Sequence, residues 1–347
     1  MRIAIIGTGG IGAPLGASLA KAGQDVVFVA RGAHLAAMQA NGLRVEGDRG
    51  ETLIRPAEAT DDPSSLDPVD LVLFCVKLWD VETAGNHIRP LIGGDTVVIP
   101  LQNGIDASER LAPILGAAHV LGGVALVSGS IVAPGVIRQT GTHHGMVFGE
   151  LDGQATARAE RIHAVCRGAG IDAVLTGDIE NARWQKFIGL VAVSGLCALT
   201  RRPIGDVRDD PDLGPLLDDA MREVVDVGRA CGVKFAPDIL QSVRARMIDP
   251  VPRHGMPSMA VDLRAGNRLG IAVARRDGGR ARRRERGADA DQPRGLRGAE
   301  AIHERSAGLN RGREAVGPIH DFSNAPSPAV SRLRARQSAI LGARACA

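Results

Sequence analysis

The 347 residues predict an α/β fold: a parallel-sheet N-terminal domain over 1–177, then a helical domain over 178–269 that is truncated or scrambled at its end. Three observations lead there. β-type and helix-type runs alternate through the first hundred residues, apolar residues fall at helical spacing after about Thr176, and past Leu269 the periodicity stops. At roughly 100–200 residues to a domain, two domains suit the length.

Arg2–Ile6 is a buried-strand run, Ile11–Ala22 reads as a helix, and Asp25–Ala30 is a second β-rich run. Val69–Val76 and Thr96–Pro100 are further apolar runs of strand length. Strands alternating with helices imply βαβ units with right-handed crossovers. His119–Val136, rich in Gly, Val and Ser, reads as later strands of the same sheet. Asp178–Leu190 and Leu213–Ala230 read as helices, Gly232 stands where a C-terminal cap belongs, and 237–248 continue helical. Beyond Leu269, the stretch RRDGGRARRRERGADADQPRGLRG has almost no large apolar residue with which to bury a core.

Composition narrows the function classes. No run of about 18 apolar residues occurs, so a membrane span is not expected. Met1 leads straight into a strand, which does not read as a signal peptide, and a cytoplasmic location is expected. Cys75, Cys166, Cys197, Cys231 and Cys346 are odd in number and scattered, as suits reduced thiols and neither a disulfide framework nor a zinc site. His143 and His144 are adjacent but lack partners at ligand spacing, so they read as a strand or loop surface, and no metal is expected. Aromatics make up 2% and tyrosine is absent. The net charge of +3 conceals a split: residues 271–347 hold sixteen arginines, no lysine and eight acids, leaving −5 on 1–270. A basic tail on an acidic body would suit a nucleic-acid arm, but these arginines have neither aromatic interleaving nor helical spacing, so no nucleic-acid partner is expected.

The first strand runs into Gly7-Thr8-Gly9-Gly10-Ile11-Gly12 and then a helix. GxGxxG alone is a weak signal. Between a strand and a helix it has the context that a Rossmann-type dinucleotide site needs. Gly7 permits the tight turn, Gly9 lets backbone approach a pyrophosphate, Gly12 allows close helix–strand packing, and the helix N-terminus offers free N–H groups. After the second strand stands Arg31, with no acid nearby to hold a ribose hydroxyl. A guanidinium there suits a 2′-phosphate, which favours NADP(H) over NAD(H).

From here the chain resembles the ketopantoate reductases (2-dehydropantoate 2-reductases). The resemblance lies in GTGGIG at 7–12, Arg31 with His34 in RGAHLAAMQANGL, Lys77 in FCVKLWD and LQNG at 101–104. It continues through Trp184-Gln-Lys186-Phe and Pro257-Ser258-Met259, in matching order over residues 1–269. It implies a Rossmann domain and a helical domain with NADPH and a small 2-oxo acid in the cleft between them, and it leaves room for a homodimer. By position, Lys77, Asn103 and Ala125 join Gly7, Thr8, Gly9, Gly10, Ile11, Gly12 and Arg31 as cofactor-binding candidates. Asn103 and Ser258 are the substrate-binding candidates. Lys186 is the catalytic candidate, its ammonium stabilising the alkoxide that forms on the ketone and donating the proton. Without the family match, Lys77 would read as a solvated loop lysine, Asn103 as a turn former and Ser258 as a loop residue.

The chain also departs from the family. Leu190 and Ser194 stand where its members often have substrate-contacting asparagines, which opens the substrate to other 2-oxo acids. Gly270 stands where the family has a site glutamate, twelve residues after Ser258, and the family's closing segment is missing. A reading shifted by one base restores both. Gly270-Ile271 can encode Glu, 271–279 can encode LPWLAGTVV, and 287–302 can encode VPTPINRAVYAALKPF, including the missing tyrosine if Leu296 is TTA. Residues 270–347 therefore read as an out-of-frame tail. The sequence expectation is a reductase of 2-dehydropantoate to pantoate in pantothenate synthesis, with two alternatives: a reductase of another small 2-oxo acid, or a non-catalytic NADP-binding remnant.

Overall fold

The computed structural model describes residues 1–269. It opens with β1 (Arg2–Ile6), α1 (Gly12–Lys21), β2 (Asp25–Val29) and α2 (Gly32–Asn41). The hairpin β3 (Leu43–Gly47) and β4 (Gly50–Ile54) comes next. It is followed by β5 (Ala59–Thr60), β6 (Leu71–Phe74), α3 (Val81–His87), β7 (Val97–Pro100) and α4 (Ala107–Leu115). A long hairpin, β8 (Gly122–Ala133) and β9 (Val136–Gly149), then leads to α5 (Ala157–Gly168) and β10 (Asp172–Leu175). The rest is helical: α6 (Ile179–Thr200), α7 (Ile204–Arg208), α8 (Leu213–Ala230), α9 (Ile239–Met247) and α10 (Ser258–Ala265). The predicted class, a parallel-sheet domain followed by a helical region, is the observed one.

The first sheet has strand order β5-β2-β1-β6-β7, all parallel. Its strands read as unbroken apolar runs because both faces are covered. Ile3, Ile5, Phe28 and Leu73 pack on the side that holds Leu15 and Leu19 of α1. Ala4, Ile6, Val27 and Phe74 pack on the other, with Val81 of α3 and Leu111 of α4.

The Gly/Val/Ser-rich segment does not extend this sheet. β8 and β9 pair antiparallel and belong to a second sheet ordered β10-β9-β3-β4, with β8 on the free side of β9. The physical reason is local. Two long strands joined by a turn at Gly135 (φ +75°) close on each other as a hairpin, whereas joining a parallel sheet would need a crossover. A single bridge, Val98 to Val120, ties the segment to the first sheet.

This second sheet packs over α1, so α1 is buried on two sides. His144 is accordingly not a surface residue. It is 4% exposed and its Nε2 lies 2.8 Å from Ser18 Oγ on α1. Burial and the nearby Arg49 charge hold its pKa below the usual histidine value. His143 does sit exposed on the strand.

α6 begins where expected, with the Asp178 side chain accepting the Asn181 N–H at 3.1 Å, but it runs ten residues past Leu190 to Thr200. Its apolar residues surround it, so the amphipathic period fades although the helix continues. α8 has the predicted ends, with Gly232 just beyond it at φ +89°. Cys75, Cys166 and Cys197 are free thiols, while Cys231 is disulfide-bonded, so the expectation of reduced thiols throughout fails at Cys231; Cys346 lies outside the described residues. Among the described residues, no helix is long and apolar enough to cross a membrane and no cluster suits a metal. The out-of-frame tail read at 270–347 lies outside the described residues.

Candidate active site

The glycine turn sits at the C-terminal end of β1, at the centre of the parallel sheet, which is where ligands of such sheets bind. Gly7 has φ +93°, and a Cβ there would lie 2.9 Å from the Val76 N. A Cβ on Gly12 would run into the Gly7 carbonyl, so only glycine lets α1 start this close to the strand. On Gly9 a Cβ would meet nothing within 4 Å. The backbone N–H groups of Gly9, Gly10 and Ile11 donate no well-formed hydrogen bond to a described residue. Thr8 is 3% exposed, its hydroxyl donating to the Val29 carbonyl at 3.2 Å. Open space in front of unspent donors at a helix N-terminus fits a pyrophosphate.

Arg31 is the residue before α2 and is 81% exposed, with Asp80 its ion-pair partner at 3.6 Å. Its guanidinium therefore keeps most of its hydrogen-bonding capacity for a ligand. His34, on the first turn of α2, reaches back to the Thr8 carbonyl at 2.8 Å and across to the Gly135 N–H at 3.0 Å.

Lys77 follows β6. Its Nζ lies 3.4 Å from Asp262 of α10 and 5.8 Å from the Trp79 ring centroid. It thus joins the sheet to the helix that Ser258 opens. Asn103 is half-buried in the loop after β7, and no described residue takes a hydrogen bond from its side chain. Its neighbour Gln102 is 7% exposed and donates to the carbonyls of Phe74 at 2.8 Å and Val76 at 3.1 Å, clamping the Asn103 loop beside Lys77. Ser258, the first residue of α10, is exposed.

Lys186 lies on α6, and its ammonium donates to the Ala125 carbonyl of β8 at 2.8 Å. Desolvation lowers its pKa from the usual lysine value to about 8. One turn earlier, Arg183 is 5% exposed and pairs with Glu180 and, at 3.0 Å, with Glu109 of α4. Glu180 also accepts the Trp184 Nε1–H at 2.8 Å. This network fixes the start of α6 against the helix that follows the Asn103 loop. Leu190 is half-buried and Ser194 is 3% exposed further along α6.

One strand joins both ends of the site. β8 meets the glycine turn at Gly129, whose carbonyl a Cβ on Gly10 would strike, and meets Lys186 at Ala125. Four residue steps along the strand set these anchors roughly 13 Å apart. The structure thus gathers Gly7, Thr8, Gly9, Gly10, Ile11, Gly12 and Ala125 along β1, α1 and β8, with Lys186 of α6 bonded to Ala125 and Lys77 linked to α10. No hydrogen bond or ion pair links Arg31, Asn103 or Ser258 to Lys186 among the described residues. Gln102, Gly129, Arg183 and Asp262 escaped the sequence reading. Gln102 had a signal in its place inside LQNG; the other three are defined only by partners distant in sequence.

A parallel sheet with a glycine turn after its first strand, followed by a helical region that carries Lys186, is a two-part Rossmann-like fold. The chain belongs to the ketopantoate reductase family and is an oxidoreductase of that family. The model described as ketopantoate reductase PanE/ApbA matches residues 3–153, and that for the PanE/ApbA C terminal matches 178–274. A 2-dehydropantoate 2-reductase of Archaeoglobus fulgidus is 32% identical over 270 residues, covering 78% of this chain and 87% of the relative. The crystal structure of a 2-dehydropantoate 2-reductase from Geobacter metallireducens is 32% identical, with a TM-score of 0.71 over 78% of this chain and 89% of that one. A D-mandelate dehydrogenase solved with NADH and anilino(oxo)acetate reaches the same TM-score, 0.71, at 20% identity, a likeness of fold alone.

Proposed function

We propose that the chain reduces a small 2-oxo acid with NADPH, 2-dehydropantoate to pantoate being the substrate pair most in keeping with its relatives. The observation that supports this best is the pairing of an open glycine turn with a desolvated lysine held on the same strand, Gly129 and Ala125 of β8 being the two anchors. Gly9, Gly10 and Ile11 would hold the pyrophosphate by backbone N–H groups, and Arg31 a 2′-phosphate. Bound there, the nicotinamide supplies the hydride. Lys186 holds a proton at Nζ beside the Ala125 carbonyl, stabilises negative charge developing on the substrate's ketone oxygen, and donates the proton to it. Asn103, with its amide unspent, and Ser258 would orient the substrate, and the NADPH-binding role of Lys77 stands beside its pairing with Asp262. A cytoplasmic homodimer is part of the same proposal.

We also propose that residues 270–347 are translated out of frame. The family match ends at 274, the Archaeoglobus fulgidus relative is covered to 87% of its length, and by the resemblance Gly270 stands where the family has a glutamate. Sequencing the gene tests this directly: Leu296 is expected as TTA or CTA, either of which reads TAC in the shifted frame, and another leucine codon there, or CAG for Gln292, counts heavily against it. The function is tested by fluorescence titration with NADPH beside NADPH oxidation in the presence of ketopantoate. Binding with turnover is expected. Binding without turnover marks the chain as an NADP-binding remnant, and absence of binding rejects the cofactor reading.

A further inference from the structure

We propose that His34 is the positioning residue of the cofactor cradle, holding the Gly9 N–H in its outward aim and Arg31 in its place. The proposal rests on the NADP-binding reading above. The imidazole makes two hydrogen bonds with opposite demands. Gly135 N–H is a donor, so His34 Nδ1, 3.0 Å away, must accept from it. The Thr8 carbonyl is an acceptor, so His34 Nε2, 2.8 Å away, must donate to it. Only the neutral ring with its hydrogen on Nε2 meets both.

The consequence for the turn follows from peptide geometry. The Thr8–Gly9 bond is trans, the one cis bond among the described residues being Arg55–Pro56. In a trans peptide the carbonyl and the following N–H point in opposite directions. Holding the Thr8 carbonyl toward α2 therefore turns the Gly9 N–H away from it, to the side where no described residue accepts it. The other face of Thr8 is held by its hydroxyl on Val29. Rotation of this peptide would bring the carbonyl, an acceptor, to the place where an anion's oxygen belongs.

His34 also sits three residues after Arg31 on the first turn of α2. The same ring thus fixes the start of α2, and with it Arg31, relative to the glycine turn and to the hairpin turn at Gly135. Pyrophosphate donors and the cationic end of the cradle acquire a set spacing from one side chain.

The test is NADPH titration of the full chain as wild type, His34→Leu and His34→Gln, with melting temperatures alongside. Leu fills the space and makes neither bond; Gln offers one donor and one acceptor. His34→Leu is expected to weaken NADPH binding by about tenfold or more, and His34→Gln to stay within about fivefold of wild type. Where turnover is measurable, kcat at saturating NADPH is expected within about twofold for His34→Gln, since the ring touches no reacting atom. Wild-type affinity in His34→Leu overturns the proposal, and so does a loss beyond fivefold in His34→Gln. If the Leu variant does not fold, the Gln variant decides by the same threshold. A wild-type chain that does not bind NADPH defeats the cofactor reading itself, a different outcome from a wild type that binds and a His34→Leu that binds equally well.

Discussion

At the glycine turn the groups proposed to work are backbone N–H donors within six consecutive residues, whereas at Lys186 they are side chains of α4 and α6 and a backbone carbonyl of β8. The first arrangement needs small residues and one strand–turn–helix unit. The second needs the second sheet in place to offer the Ala125 carbonyl, and needs Glu109 of α4 to meet Arg183 of α6. The glycine turn is written in one short stretch of chain, with His34 as its side-chain brace from outside that stretch. A desolvated lysine is a product of the whole fold.

The largest way to break the comparison is at the lysine. Lys186→Ala is expected to lower turnover of ketopantoate by about 10²–10⁴-fold while NADPH affinity stays within about twofold, measured on the same preparation. A parallel loss of binding would show that the two ends are not separable. Next come two glycines of the turn. Gly12→Val should cost roughly 1–3 kcal/mol or more, seen as a fall in melting temperature, because its side chain runs into the Gly7 carbonyl and the Ile5 side chain. Gly9→Ala should leave the melting temperature unchanged, since its Cβ meets nothing, yet weaken NADPH binding by about tenfold through the space it takes from the ligand.

A smaller effect is expected at Arg31. Arg31→Ala should lower the preference for NADPH over NADH by roughly tenfold, the worth of a charged hydrogen bond at an exposed site, with NADH affinity little changed. The smallest is the pH profile. The folded-state pKa of Lys186 is lowered to about 8, so the proton-donating ammonium is present below that pH and is lost as pH rises through it. kcat/KM for reduction should fall above about pH 8, and in an active Lys186→Arg variant that fall should vanish, because a guanidinium keeps its proton. The same shift makes the unfolded chain bind more protons between about 8 and 10.5, so this group's contribution to stability improves as pH rises through that window.

How far each part was legible follows from these two plans. The first βαβ unit, the first half of α6, α8 and the glycine turn were readable because each is written in neighbouring residues. The two-sheet layout was not. A Gly/Val-rich run signals strand, but period and composition carry no information about which sheet a strand joins. The position of His144 was misread for the same reason, since its burial comes from α1 lying over the second sheet. Lys186 could be singled out by its apolar neighbours, but its anchor on Ala125 and the Arg183 brace, with partners 61 and 74 residues distant, could not.

The sequence alone determined the fold class, the glycine cradle and the absence of an acid after the second strand, because strand, turn and helix preferences act over a few residues. Tertiary structure alone decided that Lys186 is desolvated, that β8 joins it to the glycine turn, and that His34 holds the Thr8 peptide. Burial and hydrogen bonding across long loops depend on how the layers stack, and that stacking is set by the whole core together.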